Sequence, residues 1–140
     1  MELTEPSSFS RNVTIVVADD NDSFLEHVVA MLEGDFHVVG AVRSAPTAID
    51  QIERLRPDVA ILDVSLGEES GIDVAKELRA RGYEGKIVFL SIDDDPEFVI
   101  AAFIAGGTAY VSKPRMGNDL ALAIRTVLQD RSFISSPRPH

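Results

Sequence analysis

The sequence predicts an α/β fold in which five parallel strands form a doubly wound sheet with helices on both faces. Three observations point there. Short apolar runs rich in β-branched residues recur, clearest at residues 13–18, 59–62, 87–90 and 109–111. Stretches with apolar residues at helical spacing separate them. Polar residues stand where the runs end: Asp19 and Asp20, Asp63, Ser91, and Lys113 followed by Pro114. In a parallel sheet the C-terminal strand ends share one edge, and ligands bind in the crevice outside it.

Each element has its own signal. Residues 14–18 are short, β-branched and apolar, as a central strand requires. Asp22 or Ser23 is positioned to cap the first helix, Ser23 with Glu26 fits a capping box, and Phe24, Leu25, Val28, Val29, Met31 and Leu32 form its stripe before Gly34. The second strand is read over 36–42. Ser44 then caps a helix with Pro46 in its first turn and Ala48, Ile49, Ile52 and Leu55 inside. Pro57 ends that helix before the third strand, 59–64. A loop to Gly71 leads to a third helix carrying Ile72, Val74, Ala75 and Leu78 and ending near Gly82. Strand four is 86–92. Asp95 and Pro96 open helix four, and Gly106 and Gly107 close it. Strand five is 108–112, and helix five runs over 114–129 with Leu120, Ile124, Val127 and Leu128 inside. Five βα units with right-handed crossovers give a flavodoxin-like (βα)5 sheet of strand order 2-1-3-4-5.

Length and composition bound the function. A chain of 140 residues, 45% of them apolar, suits one domain with a real core. There is no Cys, which excludes a disulfide framework and thiolate metal sites. No apolar run approaches the roughly 20 residues of a membrane span, and the N-terminus has no basic region of the secretory kind, so the expected location is the cytoplasm. Thirteen basic against 23 acidic residues give a net charge of −10, which argues against direct nucleic-acid binding by this domain. Residues 1–12 read as a disordered N-terminal tail, 13–130 as the domain, and 131–140, with Ser135, Ser136, Pro137 and Pro139, as a C-terminal tail or linker.

The polar set at the strand ends suits a divalent cation and a phosphoryl group. Two carboxylates 4 Å apart repel by roughly 4 kcal/mol at an effective dielectric of 20, so three gathered at one edge need Mg²⁺ or Lys113 to offset them. Asp20 and Asp63 offer hard oxygen ligands and Asp19 can orient the ion's waters. A carboxylate held by a cation can act as a nucleophile toward phosphorus, with Ser91 donating to a phosphoryl oxygen. Taken singly, each residue has an ordinary explanation: an Asp after a strand caps a helix, Tyr110 is a core aromatic, and Lys113 is a surface charge. Their joint placement at successive strand ends carries the functional reading.

Together, Asp19-Asp20, Asp63, Ser91, Tyr110 and Lys113-Pro114 resemble the signature of receiver domains of bacterial two-component response regulators, over about residues 13–130. Gly71, eight residues after Asp63, fits the same pattern. The resemblance implies that Asp63 accepts a phosphoryl group from a sensor histidine kinase. It implies Mg²⁺ held by Asp19, Asp20, Asp63 and the backbone carbonyl of Ser65. Lys113 would be the phosphoryl-binding cation, Ser91 the switch hydroxyl and Tyr110 the switch aromatic, which turns inward as Ser91 moves toward the phosphoryl group. Transfer would be to the domain itself, not turnover of an external substrate. Three departures stand out. Gly67 replaces the usual Pro and predicts a looser loop. Ile92 is larger than the small residue common after the switch Ser and is expected to narrow phosphoryl access. Asp93 adds negative charge beside the site.

The segment 131–137 resembles the join between receiver and helix-turn-helix in regulators typified by nitrate and nitrogen-fixation control. This points to an attached DNA-binding output domain in a parent protein; the alternative is a stand-alone receiver acting by protein contacts. Helix four, apolar on nearly every face over 98–105, predicts an exposed patch for a phosphorylation-dependent homodimer or an effector. A small phosphatase of the haloacid-dehalogenase type fits less well, because Ser65 stands where that class has its second Asp.

Overall fold

The expected alternation is realised in a computed structural model that describes residues 12–93 and 95–135. Strand β1 (Thr14–Ala18) leads to α1 (Asp22–Leu32), β2 (His37–Val42) to α2 (Ala45–Leu55), and β3 (Val59–Asp63) to a small hairpin, β4 (Ser65–Leu66) and β5 (Glu69–Ser70), and then α3 (Gly71–Ala80). Strand β6 (Lys86–Ser91) precedes α4 (Pro96–Ile104). Strand β7 (Ala109–Ser112) passes through a 3-10 turn (Lys113–Arg115) into α5 (Met116–Val127), and β8 (Phe133–Ile134) follows. Among the described residues the main sheet has the order β2-β1-β3-β6-β7-β8, all pairs parallel. Its first five members reproduce the expected 2-1-3-4-5.

Both faces of the sheet are covered, which is why the strands read as continuous apolar runs. Ile15, Val17, Ile61, Val88, Leu90 and Val111 point into one core layer with Val28 of α1 and Leu120 and Ile124 of α5. Val16, Ala18, Leu62, Phe89 and Tyr110 point into the other with Ile52 of α2, Leu78 of α3 and Ala102 of α4. Fully burying each large aliphatic side chain contributes about 1.5–3 kcal/mol, enough to fix the strand register and hence the edge where the polar residues gather.

Four local expectations need correction. Asn21, not Asp22 or Ser23, caps α1; its side chain accepts from the Phe24 amide at 2.9 Å, so no capping box forms. The loop after Asp63 is not loose. Gly67 has φ of +67° in a tight turn joining Ser65–Leu66 to Glu69–Ser70, a conformation closed to proline, whose ring fixes φ near −65°. Helix five starts two residues late, because Pro114 sits inside the 3-10 turn. Finally, the segment composed like a linker joins the sheet: the Phe133 amide donates to the Thr108 carbonyl at 3.3 Å, and the Phe133 ring packs on the α1–α5 layer. Too short for any periodicity, this strand left no pattern in the sequence. Residues 1–11 and 136–140, which complete the two expected tails, lie outside the described residues.

Candidate functional site

The ends of β1, β3, β6 and β7 converge on one edge of the sheet. Asp19 follows β1 and is 1% exposed; Asp63 ends β3 and is 5% exposed; Asp20 is exposed. One carboxylate oxygen from each of the three lies within 4.8 Å of the other two. Lys113 reaches back from the end of β7 to bridge two of them, with Nζ 2.9 Å from Asp63 Oδ2 and 3.1 Å from Asp19 Oδ2. The remaining oxygens of that pair are held by backbone: Asp19 Oδ1 accepts from the Asn21 amide at 2.9 Å and Asp63 Oδ1 from the Ser65 amide at 3.1 Å. Gly71 is required here because a Cβ at that position would fall 2.0 Å from the Asp63 carbonyl oxygen. Its amide donates to the Val64 carbonyl at 2.7 Å, joining α3 to the end of β3.

The electrostatics are those of a site short of positive charge. Burial pushes the Asp63 carboxyl up from 3.8 to about 6, although its hydrogen bonds to Lys113 and the Ser65 amide pull it down; the charge on Asp19 adds to the rise. Burial pulls the Lys113 ammonium down, but the hydrogen bonds and charges of Asp63 and Asp19 overcome that and leave it raised. Asp63 and Asp19 thus share one ammonium, with the Asp20 carboxylate beside them. One oxygen from each carboxylate lies within 4.8 Å of the other two, and such an all-oxygen set is the donor chemistry that a hard divalent cation prefers.

The other expected residues border this cluster. Ser91, buried at the end of β6, donates to the Asp93 carbonyl at 3.0 Å and accepts from the Asp93 amide at 2.9 Å, closing a turn on itself. Tyr110 is 1% exposed and already lies inward, its hydroxyl donating to the same Asp93 carbonyl at 2.5 Å. The ring thus already occupies the inward position expected to accompany phosphorylation. Ile92 does not cover the acceptor; it is 81% exposed and stands with Phe98 on the rim of the depression over Asp63. Asp93 is exposed, and its Oδ1 accepts from the Asp95 amide at 3.0 Å, so that carboxylate belongs to the turn before α4. Sequence reasoning missed Phe24, whose ring centroid lies 4.0 Å from Lys113 Nζ. A cation over an aromatic face is stabilised by about 0.5–2 kcal/mol. In the sequence Phe24 was one more member of an apolar stripe.

A response regulator receiver domain model matches residues 15–125. The chain belongs to the response regulator receiver family. The domain is 28% identical over 130 residues to the transcriptional regulatory protein DegU of Brevibacillus brevis, covering 91% of this chain and 55% of that protein. It is 31% identical over 126 residues to the DNA-binding transcriptional activator DevR/DosR of Mycobacterium tuberculosis, covering 89% and 58%. It thus spans a little over half the length of these relatives. Among solved structures it superposes on a LuxR-family two-component response regulator from Aurantimonas sp. with a TM-score of 0.85 at 25% identity, covering 89% of this chain and 90% of that one. This is a family of signalling domains, and its sheet is the flavodoxin-like one described above. Among the described residues no helix is long and apolar enough to cross a membrane.

Proposed function

We propose that this receiver takes a phosphoryl group onto Asp63 from a phosphohistidine of a sensor kinase. The observation that carries the reading is Lys113 bridging Asp63 and Asp19 within a cluster of three carboxylates. An Asp63 carboxylate oxygen attacks phosphorus, the donor's P–N bond breaks, and its electron pair stays on the imidazole nitrogen. Asp20, Asp63 and the Ser65 carbonyl would hold Mg²⁺ directly, and Asp19 would act through the ion's water. Mg²⁺, when bound, supplies positive charge against the carboxylates and the incoming phosphoryl oxygens. Lys113 is the cation that follows the phosphoryl group. Ser91 exchanges the Asp93 carbonyl for a phosphoryl oxygen, which leaves Tyr110 as that carbonyl's remaining hydroxyl partner and alters the turn before α4.

That turn leads into the exposed face. Ile100 is 59% exposed and Ile104 78% exposed on one side of α4, while Phe98 lies at its start. This face is the proposed surface for a homodimer or effector, its populations shifted by phosphorylation. The domain works in the cytoplasm, binds no nucleic acid itself, and controls a DNA-binding output domain in a parent protein. It modifies only itself.

Incubation with a phosphohistidine donor and Mg²⁺, followed by intact mass, tests the reading. Incorporation of one acid-labile phosphoryl group, lost in Asp63→Asn, is expected. Multiple turnover to free phosphate would favour a phosphatase, and no incorporation would refute phosphoacceptance.

A further inference from the structure

Asp119 is a buried carboxylate that the proposed chemistry does not use. It is 6% exposed, in the first turn of α5. An acid there suits the helix dipole, but the dipole does not explain its partners. One oxygen, Oδ2, accepts from Arg115 Nε at 3.0 Å and from Ser135 Oγ at 2.8 Å. The Ser135 hydroxyl in turn accepts from the Ser112 amide at 3.0 Å, and the Ser135 amide donates to the Tyr110 carbonyl at 2.9 Å.

These bonds bracket Lys113. Ser112 immediately precedes it and ends β7. Strand β8 stops at Ile134, so it offers Ser112 no ladder partner, and the half-buried Ser112 N–H needs another acceptor. The Ser135 side chain fills that role. On the other side, Arg115 closes the 3-10 turn that Lys113 opens, and its guanidinium is tied to the same oxygen that orients Ser135. Residues on both sides of Lys113 are therefore tied to one carboxylate, Ser112 by its backbone amide through Ser135 and Arg115 by its side chain. The hydroxyl completing the arrangement comes from the segment after α5.

We infer that Asp119 and Ser135 are positioning residues for Lys113, so that the docked segment 133–135 is part of the phosphoryl-transfer apparatus and responds to its state. The inference rests on the reading of Asp63 and Lys113 given above. Coupling between two events is reciprocal. Docking holds Lys113 where it meets the phosphoryl group, and a phosphoryl group that engages Lys113 holds the segment down. The strand that carries the chain out of the domain thus senses the acceptor through β7, independently of α4.

The test uses the full chain with phosphoramidate as donor. Loss of one hydrogen bond of this kind slows Asp63 phosphorylation at saturating donor by roughly fivefold in Ser135→Ala. The half-saturating donor concentration and Mg²⁺ affinity stay unchanged, and Ser135→Thr, which keeps the hydroxyl, restores the rate. In the wild type, Mg²⁺ with beryllium fluoride slows amide exchange at Ser112, Phe133 and Ser135. A Ser135→Ala rate equal to wild type, or exchange at those amides that ignores beryllium fluoride while the wild type still labels at Asp63, would overturn this inference alone. A wild type that does not label at Asp63 would overturn the site reading and the inference with it.

Discussion

Replacing Asp63 by Asn should stabilise the chain when no divalent cation is present. The carboxyl is 5% exposed, and burial raises it from 3.8 to about 6. That gap corresponds to about 3 kcal/mol of cost for holding the charged form at neutral pH. That shift already includes the pull of Lys113 and of the Ser65 amide, and Asn keeps the shape of the neutral carboxyl and an oxygen for the Ser65 amide. The gain is therefore up to about 3 kcal/mol, or a rise in Tm on the order of 8 °C for a domain of this size. The sign follows from proton uptake. Because the folded value lies above the unfolded one, the native state binds more protons between about pH 4 and pH 6, and wild-type stability falls as pH rises through that window. The advantage of Asp63→Asn should therefore be full above pH 7 and vanish toward pH 4. Excess Mg²⁺ should erase it by stabilising the wild type through binding. Urea unfolding in EDTA, followed by far-UV circular dichroism from pH 4 to 8, measures all three. An Asn variant less stable than wild type at pH 7.5, or a difference that does not change with pH, would refute the argument.

Other expectations follow from the same geometry. Asp20→Ala should weaken Mg²⁺ more than Asp19→Ala, for which a loss on the order of tenfold is expected of a residue acting on the ion through water; calorimetric titration of both variants decides, and a reversed order would overturn the assignment. Because Ile92 is 81% exposed on the rim, Ile92→Ala should leave the rates of phosphoryl gain and loss nearly unchanged, and a marked acceleration in a single-turnover assay would show that the side chain folds over the site. Ile104→Lys, at a position 78% exposed, should alter stability by no more than about 0.5 kcal/mol. The same substitution should abolish any phosphorylation-dependent dimer seen by sedimentation, and a dimer that survives it would place the interface elsewhere.

The elements that position Asp19, Asp63, Ser91 and Lys113 could be read from the chain because their strands are buried on both faces. Continuous apolar runs and the polar residue that ends each one are one-dimensional signals. What escaped reading depends on contacts between distant segments. Phe24 under Lys113 and Ser135 on Asp119 are pairs far apart in sequence, and each member alone looks like an ordinary core or tail residue. The partner of the Tyr110 hydroxyl was not legible for a related reason: it is a backbone carbonyl, which has no signature in side-chain sequence. Gly67 was misjudged because a glycine signals either slackness or a positive φ, and only the hairpin pairing of Ser65–Leu66 with Glu69–Ser70 decides between them.

On the reading proposed above, the buried carboxylate bridged by Lys113 is where phosphorus is bound. The most direct measurement is peptide mapping of the chain after labelling with a phosphohistidine donor and Mg²⁺, with the acyl phosphate trapped by borohydride reduction. A single modified residue, Asp63, is expected. Modification of Asp19, Asp20 or any residue away from this edge of the sheet, with Asp63 untouched, would contradict it.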